Sequence, residues 1–165
     1  MLPYRDLFIA LHTQSIRYLV AGGFAVNFHG VQRFTAGLDL ILHLETSNIL
    51  AFDHLMLQLG YRPRLPVSGT DFANAKTRQD WIETKNMLVF SYVNPHNAFE
   101  IIDIFVDEPS PFEELAKRKK IVSAFGIDIP VVGRADLIAM KKQAGRDKDL
   151  FDVHQLENLE NERQT

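Results

Sequence analysis

The chain has 165 residues, 46% hydrophobic and 24% charged, a balance that fits a globular protein with a real core and excludes a disordered or fibrous one. Its net charge of -3 gives no overall pull toward nucleic acid, so a polyanion needs a local basic patch, and with no cysteine there are no disulfides, thiolate metal sites or thiol nucleophiles. No apolar run approaches the roughly 20 residues that span a bilayer, and the start MLPYRDLFIALHTQS lacks a signal-peptide layout. The expectation is a cytoplasmic protein with no membrane contact, in one domain over residues 1–165.

Leu7, Phe8 and Leu11 at helical spacing predict an amphipathic helix from Tyr4 to His12. Tyr18 to Ala21 is a short apolar run that meets Gly22 and Gly23, the layout of a strand turning sharply into a helix, which closes at His29-Gly30. Glycines there let a ligand approach the backbone, and the free N–H groups of a helix start favour phosphate. From Leu38, alternation separates Asp39, Ile41 and His43 from Leu38, Leu40 and Leu42, as in a strand with Asp39 at its beginning. Thr46 or Ser47 can cap a helix running to about Leu59, with Leu50, His54 and Leu57 on its apolar stripe and Gly60 stopping it. Arg62 to Thr70 is turn-rich and mildly basic, and Asp71 to Thr84 reads either as a short helix or as an irregular excursion.

Met87 to Val93 and Phe99 to Val106 read as strands joined by Asn94-Pro95-His96-Asn97, a polar turn of hairpin length. Asp103 shares a strand face with Phe99, Ile101 and Phe105, where a buried carboxylate is unfavourable without a partner. Lys141 is one candidate partner. Pro111 to Lys120 predicts a short helix with a basic end, and Ile121 to Val132 predicts two short strands around Phe125-Gly126, with Pro130 tolerable only at an edge. Arg134 to Glu160 is helical by pattern with a break at Gly145. Leu137, Lys141 and Ala144 fall on one helical face, so Lys141 is expected to point toward the body of the protein. Asn161 to Thr165 is expected to fray. His29, His43 and His96 have no metal-ligand spacing, and Trp81 and Tyr92 fit core packing more readily than base stacking.

Gly22, Gly23, Ala25, Gly30, Arg33, Thr35 and Asp39 follow one another in a pattern that resembles the nucleotidyltransferase superfamily, where a glycine pair opens a helix and a downstream strand carries an Asp-x-Asp pair. The closest resemblance is to the small bacterial nucleotidyltransferases of the AbiEii toxin type. Leu137 and Lys141, then Arg146, Lys148, Asp149 and Asp152, are similar to the L-x-x-x-K and R-x-K-D-x-x-D runs of that family, so with Asp103 the likeness spans most of the chain. It implies an α+β fold of the polymerase-beta type, a mixed sheet flanked by helices. It also implies Mg2+ held by Asp39 and Asp103, which match the second aspartate of the pair and the third carboxylate, the latter helping to deprotonate a hydroxyl. Nucleotide binding falls by the same resemblance to Gly22, Gly23, Arg33, Thr35, Lys141, Arg146 and Lys148. The implied partners are a nucleoside triphosphate, an RNA or protein acceptor and an antitoxin.

The sequence departs from the pattern at Gly37, which stands where the first aspartate belongs. Loss of that carboxylate implies weak or absent Mg2+ binding and slow or absent transfer. Glu45, Asp71 and Glu100 are the nearby carboxylates, but alternation puts Glu100 on the face opposite Asp103 and the other two lie off the motif strands. Asp149 and Asp152 read as structural partners of Arg146 or Lys148 at least as readily as catalytic groups. Two functions stay open: a nucleotidyltransferase, or a catalytically inactive nucleotide-binding or protein-interaction member of the fold. The acidic net charge disfavours a third, a stand-alone RNA-binding domain.

Overall fold

A computed structural model describes residues 4–164. In chain order the elements are α1 (Arg5–Thr13), β1 (Tyr18–Ala21), α2 (Gly22–Phe28), β2 (Leu38–Leu42), α3 (Thr46–Gln58), β3 (Arg62–Pro63), α4 (Gly69–Ala73) and α5 (Ala75–Lys85). The chain continues through β4 (Val89–Asn94), β5 (Asn97–Phe105), α6 (Phe112–Lys117), β6 (Lys120–Ala124), β7 (Ile127–Val131), α7 (Arg134–Ala144) and α8 (Asp147–Gln164). The strands form one mixed seven-stranded sheet in the order β3-β4-β5-β2-β1-β7-β6, so the fold is α+β. β1 runs antiparallel to β2 and parallel to β7, and β2 runs parallel to β5.

The two hairpins are set by their turns. Phe125 and Gly126 both have positive φ, 55° and 75°, the two-residue geometry whose twist matches that of the β6 and β7 strands. β4 and β5 pair with a register shift at Val93/Asn94, which brings Ser91 opposite Asp103. On one face of this pair Phe90, Tyr92, Ile102 and Ile104 are buried against the helices that follow β2. Phe52 of α3 meets Tyr92 edge-on at 5.7 Å, and Phe72 of α4 and Trp81 of α5 stack on Phe90 at 4.7 and 5.8 Å. Each such side chain contributes about 1.5–3 kcal/mol on burial, so this face anchors the sheet and leaves the opposite one for the site. Trp81 and Tyr92 are therefore core residues.

Several expectations need correction. The buried stripe of α3 is Ile49, Phe52, Leu55 and Met56, while Leu50, His54 and Leu57 are exposed. Its sequence is apolar on more than one side, so periodicity alone does not choose the stripe. Neither Thr46 nor Ser47 caps it. The N-cap is Glu45 without a side-chain hydrogen bond, and the first turn is tied down by Asn48, whose amide donates to the carbonyls of Arg17 and His43. The stretch after Asp71 resolves into two helices, each with a side-chain cap, Ser68 on α4 and Asn74 on α5. Pro130 lies in β7, an inner strand between β1 and β6. It is tolerated because the β1–β7 ladder has one registered pair, Val20 with Val131, and its hydrogen bond comes from the Val132 N–H. α8 runs on to Gln164, beyond the expected fraying point, and Ala144 is exposed at the end of α7. Among the described residues no helix is long and apolar enough to cross a membrane.

Candidate functional site

Asp39 on β2 and Asp103 on β5 are register partners in neighbouring parallel strands. Strands so paired lie about 4.8 Å apart and partners project to the same face, so the two carboxylates stand side by side. Asp103 accepts a hydrogen bond at 2.5 Å from the Ser91 hydroxyl, which engages one of its oxygens. Among the described residues none donates a hydrogen bond to Asp39. Burial, and then the negative charge of Asp103, push its carboxyl up to about 6 against the opposing pull of Lys141, Arg146 and Lys148. Two half-buried carboxylates with open lone pairs fit part of the oxygen donor set of a hard divalent cation. The set is incomplete: among the described residues no group of three or more His, Cys, Asp or Glu side chains is arranged to hold a metal ion.

The glycine pair is explained by what packs on it. A Cβ at Gly22, where φ is 60°, would fall 1.9 Å from Asp39 Oδ2, and a Cβ at Gly23 would fall 2.6 Å from Thr35 Oγ1. Glycine here admits the protein's own Asp39 and Thr35 side chains over the start of α2. Arg33 is brought to the same place, its guanidinium carbon 3.7 Å from the Gly23 Cβ position. Gly37 behaves differently. An added Cβ there would meet only the Ile101 carbonyl oxygen at 3.6 Å, an ordinary contact.

The C-terminal helices bring positive charge to this end of the sheet, and almost all of it is paired. Buried Lys141 on α7 lies 2.8 Å from Asp152 Oδ2 and 3.4 Å from Asp149 Oδ1, both buried on α8. Arg33 donates to the same Asp152 oxygen. Arg146 donates to Asp149 through Nε at 2.6 Å and Nη2 at 3.2 Å. Burial pushes the Asp149 carboxyl up, but the Arg146 hydrogen bond and the Lys141 charge outweigh it and hold the group below its ordinary value. Lys148 is exposed and its charge is felt at Asp39.

No protein-family model and no curated protein matches the chain. Solved structures do. The lincosamide antibiotic adenylyltransferase LnuA, with lincomycin bound, matches at a TM-score of 0.61 and 12% identity over 92% of each chain. The antibiotic-resistance factor ANT(2'')-Ia matches at 0.58 and 12%, over 92% of this chain and 78% of that one. An antigenic nucleotidyltransferase-like protein from Paracoccidioides brasiliensis matches at 0.57 and 15%, over 93% and 73%. The chain has the nucleotidyltransferase fold. At these identities the likeness concerns the fold alone.

Within this nucleotidyltransferase fold, Asp39, Asp103, Gly22, Gly23, Arg33 and Thr35 gather at one end of β2 and β5, and the charges of Lys141, Arg146 and Lys148 reach Asp39. The partner considered for Asp103, Lys141, is instead bound to Asp149 and Asp152. Asp149 pairs with Arg146 as expected, whereas Asp152 pairs with Arg33 and Lys141 rather than with Lys148. Among the described residues no carboxylate joins Asp39 and Asp103 in place of the one missing at Gly37. Glu100 is held by Tyr61, Asn94 and Asn97, Asp71 closes the capping box of α4, and Glu45 accepts from Ser47. Ser91 was not foreseen, because its pairing with Asp103 depends on the bulge between Val93 and Asn94.

Proposed function

We propose that the chain binds a nucleoside triphosphate with Mg2+ at the Asp39 and Asp103 face and transfers its nucleotide to a hydroxyl acceptor, at a rate limited by the glycine at position 37. The observation that carries this reading is the register pairing of Asp39 with Asp103 above a glycine turn that only glycine fits. Asp39 and Asp103 would hold Mg2+, which when bound supplies charge neutralisation and alignment of the phosphates. In the transfer, the acceptor oxygen forms a bond to the α-phosphorus, the bond from that phosphorus to the bridging oxygen of the β-phosphate breaks, and pyrophosphate leaves. The hydroxyl proton goes to Asp103, at the oxygen that Ser91 does not engage. Lys141, Arg146 and Lys148 contribute positive potential toward the phosphates.

The resemblance in the motif residues supports the finer assignment, an AbiEii-like bacterial protein of the cytoplasm in a toxin-antitoxin setting with an antitoxin partner and an RNA or protein acceptor. The lincomycin bound in the LnuA structure adds small molecules to the acceptor classes considered. Gly37 favours a second reading, a catalytically inactive nucleotide-binding or interaction member of the fold. The two separate in a titration of the chain with each of the four triphosphates, with and without Mg2+, alongside transfer of label from the α-phosphate. Metal-dependent binding with transfer supports the enzyme, binding without transfer supports the inactive member, and no binding under either condition defeats the nucleotide reading.

A further inference from the structure

Away from Asp39 and Asp103, the C-terminal end of α2 forms a pocket with the start of α7 and the last turns of α8. His29, Arg134, Leu159, Glu160 and Arg163 line it, around a cavity of about 210 Å³. At 1.5 Å per residue along α2, His29 lies on the order of 10 Å from Gly22, at the opposite end of the helix from the proposed site.

The charge around His29 is what sets this pocket apart. The residue is only 7% exposed, and its Nε2 donates to the Val132 carbonyl at 2.8 Å. That bond fixes the tautomer and leaves Nδ1 with its lone pair. Burial holds the ring below its ordinary pKa against the pull of the Val132 bond, and the charges that add most to the lowering are all positive: Lys120, Arg134 and Arg163. Lys120, at the start of β6, is held close by donating to the Phe28 carbonyl at 2.9 Å. Among the described residues that line the pocket one is a carboxylate, Glu160, which pairs with Arg134.

Three cations against one carboxylate leave two positive charges about a concave pocket, which draws in an anion. Guanidinium groups suit the oxygens of a phosphate, and a phosphate dianion matches the surplus where a single carboxylate does not. The cavity is smaller than the roughly 300–1,000 Å³ of pockets that take drug-sized ligands, so its occupant is small.

We infer that this pocket is a second ligand site, for the phosphate group of a small molecule drawn in by Lys120, Arg134 and Arg163. Once the anion is seated, His29 completes the site by taking a proton on Nδ1. The inference goes beyond the proposed transfer reaction and stands whether or not that reaction occurs.

The test is an NMR titration of the isotope-labelled full chain at constant ionic strength with inorganic phosphate, glycerol phosphate and a short oligoadenylate RNA with hydroxyl ends. It follows the His29 ring and the amides of His29, Leu159 and Glu160 in wild type, Arg163→Ala, Glu160→Gln and Lys85→Ala. Arg163, Glu160 and Lys85 are all exposed, and Lys85 ends α5, so its loss controls for net charge alone. Inorganic phosphate is expected to shift these resonances saturably and to raise the pKa of the His29 ring. Arg163→Ala should bind it about threefold or more weakly, Glu160→Gln about threefold or more tightly, and Lys85→Ala as wild type does. The tightening in Glu160→Gln is a gain that damage to the fold would not produce. Tighter binding of glycerol phosphate than of inorganic phosphate identifies an ester as the source of the group, and the reverse identifies the free anion. Shifts confined to Gly22, Gly23 and Asp39, a His29 ring whose titration phosphate leaves unchanged, equal weakening in Arg163→Ala and Lys85→Ala, or stronger shifts with the RNA than with either small phosphate would each overturn the inference.

Discussion

An added Cβ at Gly22 would overlap the Asp39 carboxylate at 1.9 Å, and the backbone φ of 60° there adds its own strain for any other residue. Gly22→Ala should therefore lower the unfolding free energy by about 1–2 kcal/mol from the left-handed backbone alone, with more from moving Asp39. Urea denaturation reads this, and an unchanged midpoint would show that the turn rearranges freely. At Gly37 the same test gives the opposite expectation. The Cβ position is open apart from an ordinary contact with the Ile101 carbonyl, so Gly37→Asp should leave stability in EDTA within about 1 kcal/mol of wild type. Its carboxylate, two residues before Asp39 at the bend that leads into β2, should then give Mg2+-dependent thermal stabilisation that wild type lacks, together with faster label transfer. A variant that gains neither would show that the missing carboxylate is not what limits the site. The sequence pattern picks out both glycines, but their roles differ by contacts made far along the chain. The reading of the pair as a bare ligand approach missed that Asp39 and Thr35 already occupy the space above it.

The unit that holds the site together at the next scale is the joint of α7, α8 and the chain before β2. Asp152 is shared by Lys141 of α7 and Arg33 of that preceding segment, and Asp149 joins Lys141 to Arg146. The aspartates are nearly inaccessible, so removing one leaves buried positive charge uncompensated. Asp152→Ala should lower stability by about 3 kcal/mol, and Lys141→Ala by a similar or smaller amount because Arg33 and Arg146 still face the carboxylates. Chemical denaturation of both variants checks this, and a loss under about 0.5 kcal/mol in Asp152→Ala would mean the joint contributes little. The helical face of Leu137 and Lys141 was legible because a 3.6-residue period marks it, and both side chains are buried. The partners were only half legible, since spacing joins Asp149 to Arg146 but says nothing of Arg33. The β4–β5 register was illegible for a similar reason. Counting back from the turn pair Asn94 and Asn97 sets Leu88 opposite Asp103, and the bulge moves Ser91 there instead.

At the scale of the whole molecule, the site should leave its mark on stability as a function of pH. Asp39 has its carboxyl raised from 3.8 to about 6, first by burial and then by Asp103, with Lys141, Arg146 and Lys148 opposing. A carboxyl raised in the folded state binds its proton more tightly there than in the unfolded chain. Its contribution to stability is therefore complete below the ordinary value and is lost as pH rises through about 6. Asp149 runs the other way: held below its ordinary value, it stabilises the fold above that value and loses the contribution as pH falls through the depressed one. The metal-free protein should thus weaken on the acid side as Asp149 and its partners uncouple, and weaken again on rising from about pH 4 to 6 as Asp39 ionises beside Asp103. At 1.36 kcal/mol per pH unit, the second step amounts to at most about 3 kcal/mol. Asp39→Asn removes the ionisation without removing the side chain's bulk, so its unfolding free energy in EDTA should lack that step and exceed the wild type's above pH 6. The measurement is urea denaturation of both proteins across this range in EDTA. Parallel curves for the two would mean that Asp39 is solvated well enough to ionise freely, and that no stored repulsion between Asp39 and Asp103 stands ready for a cation to relieve.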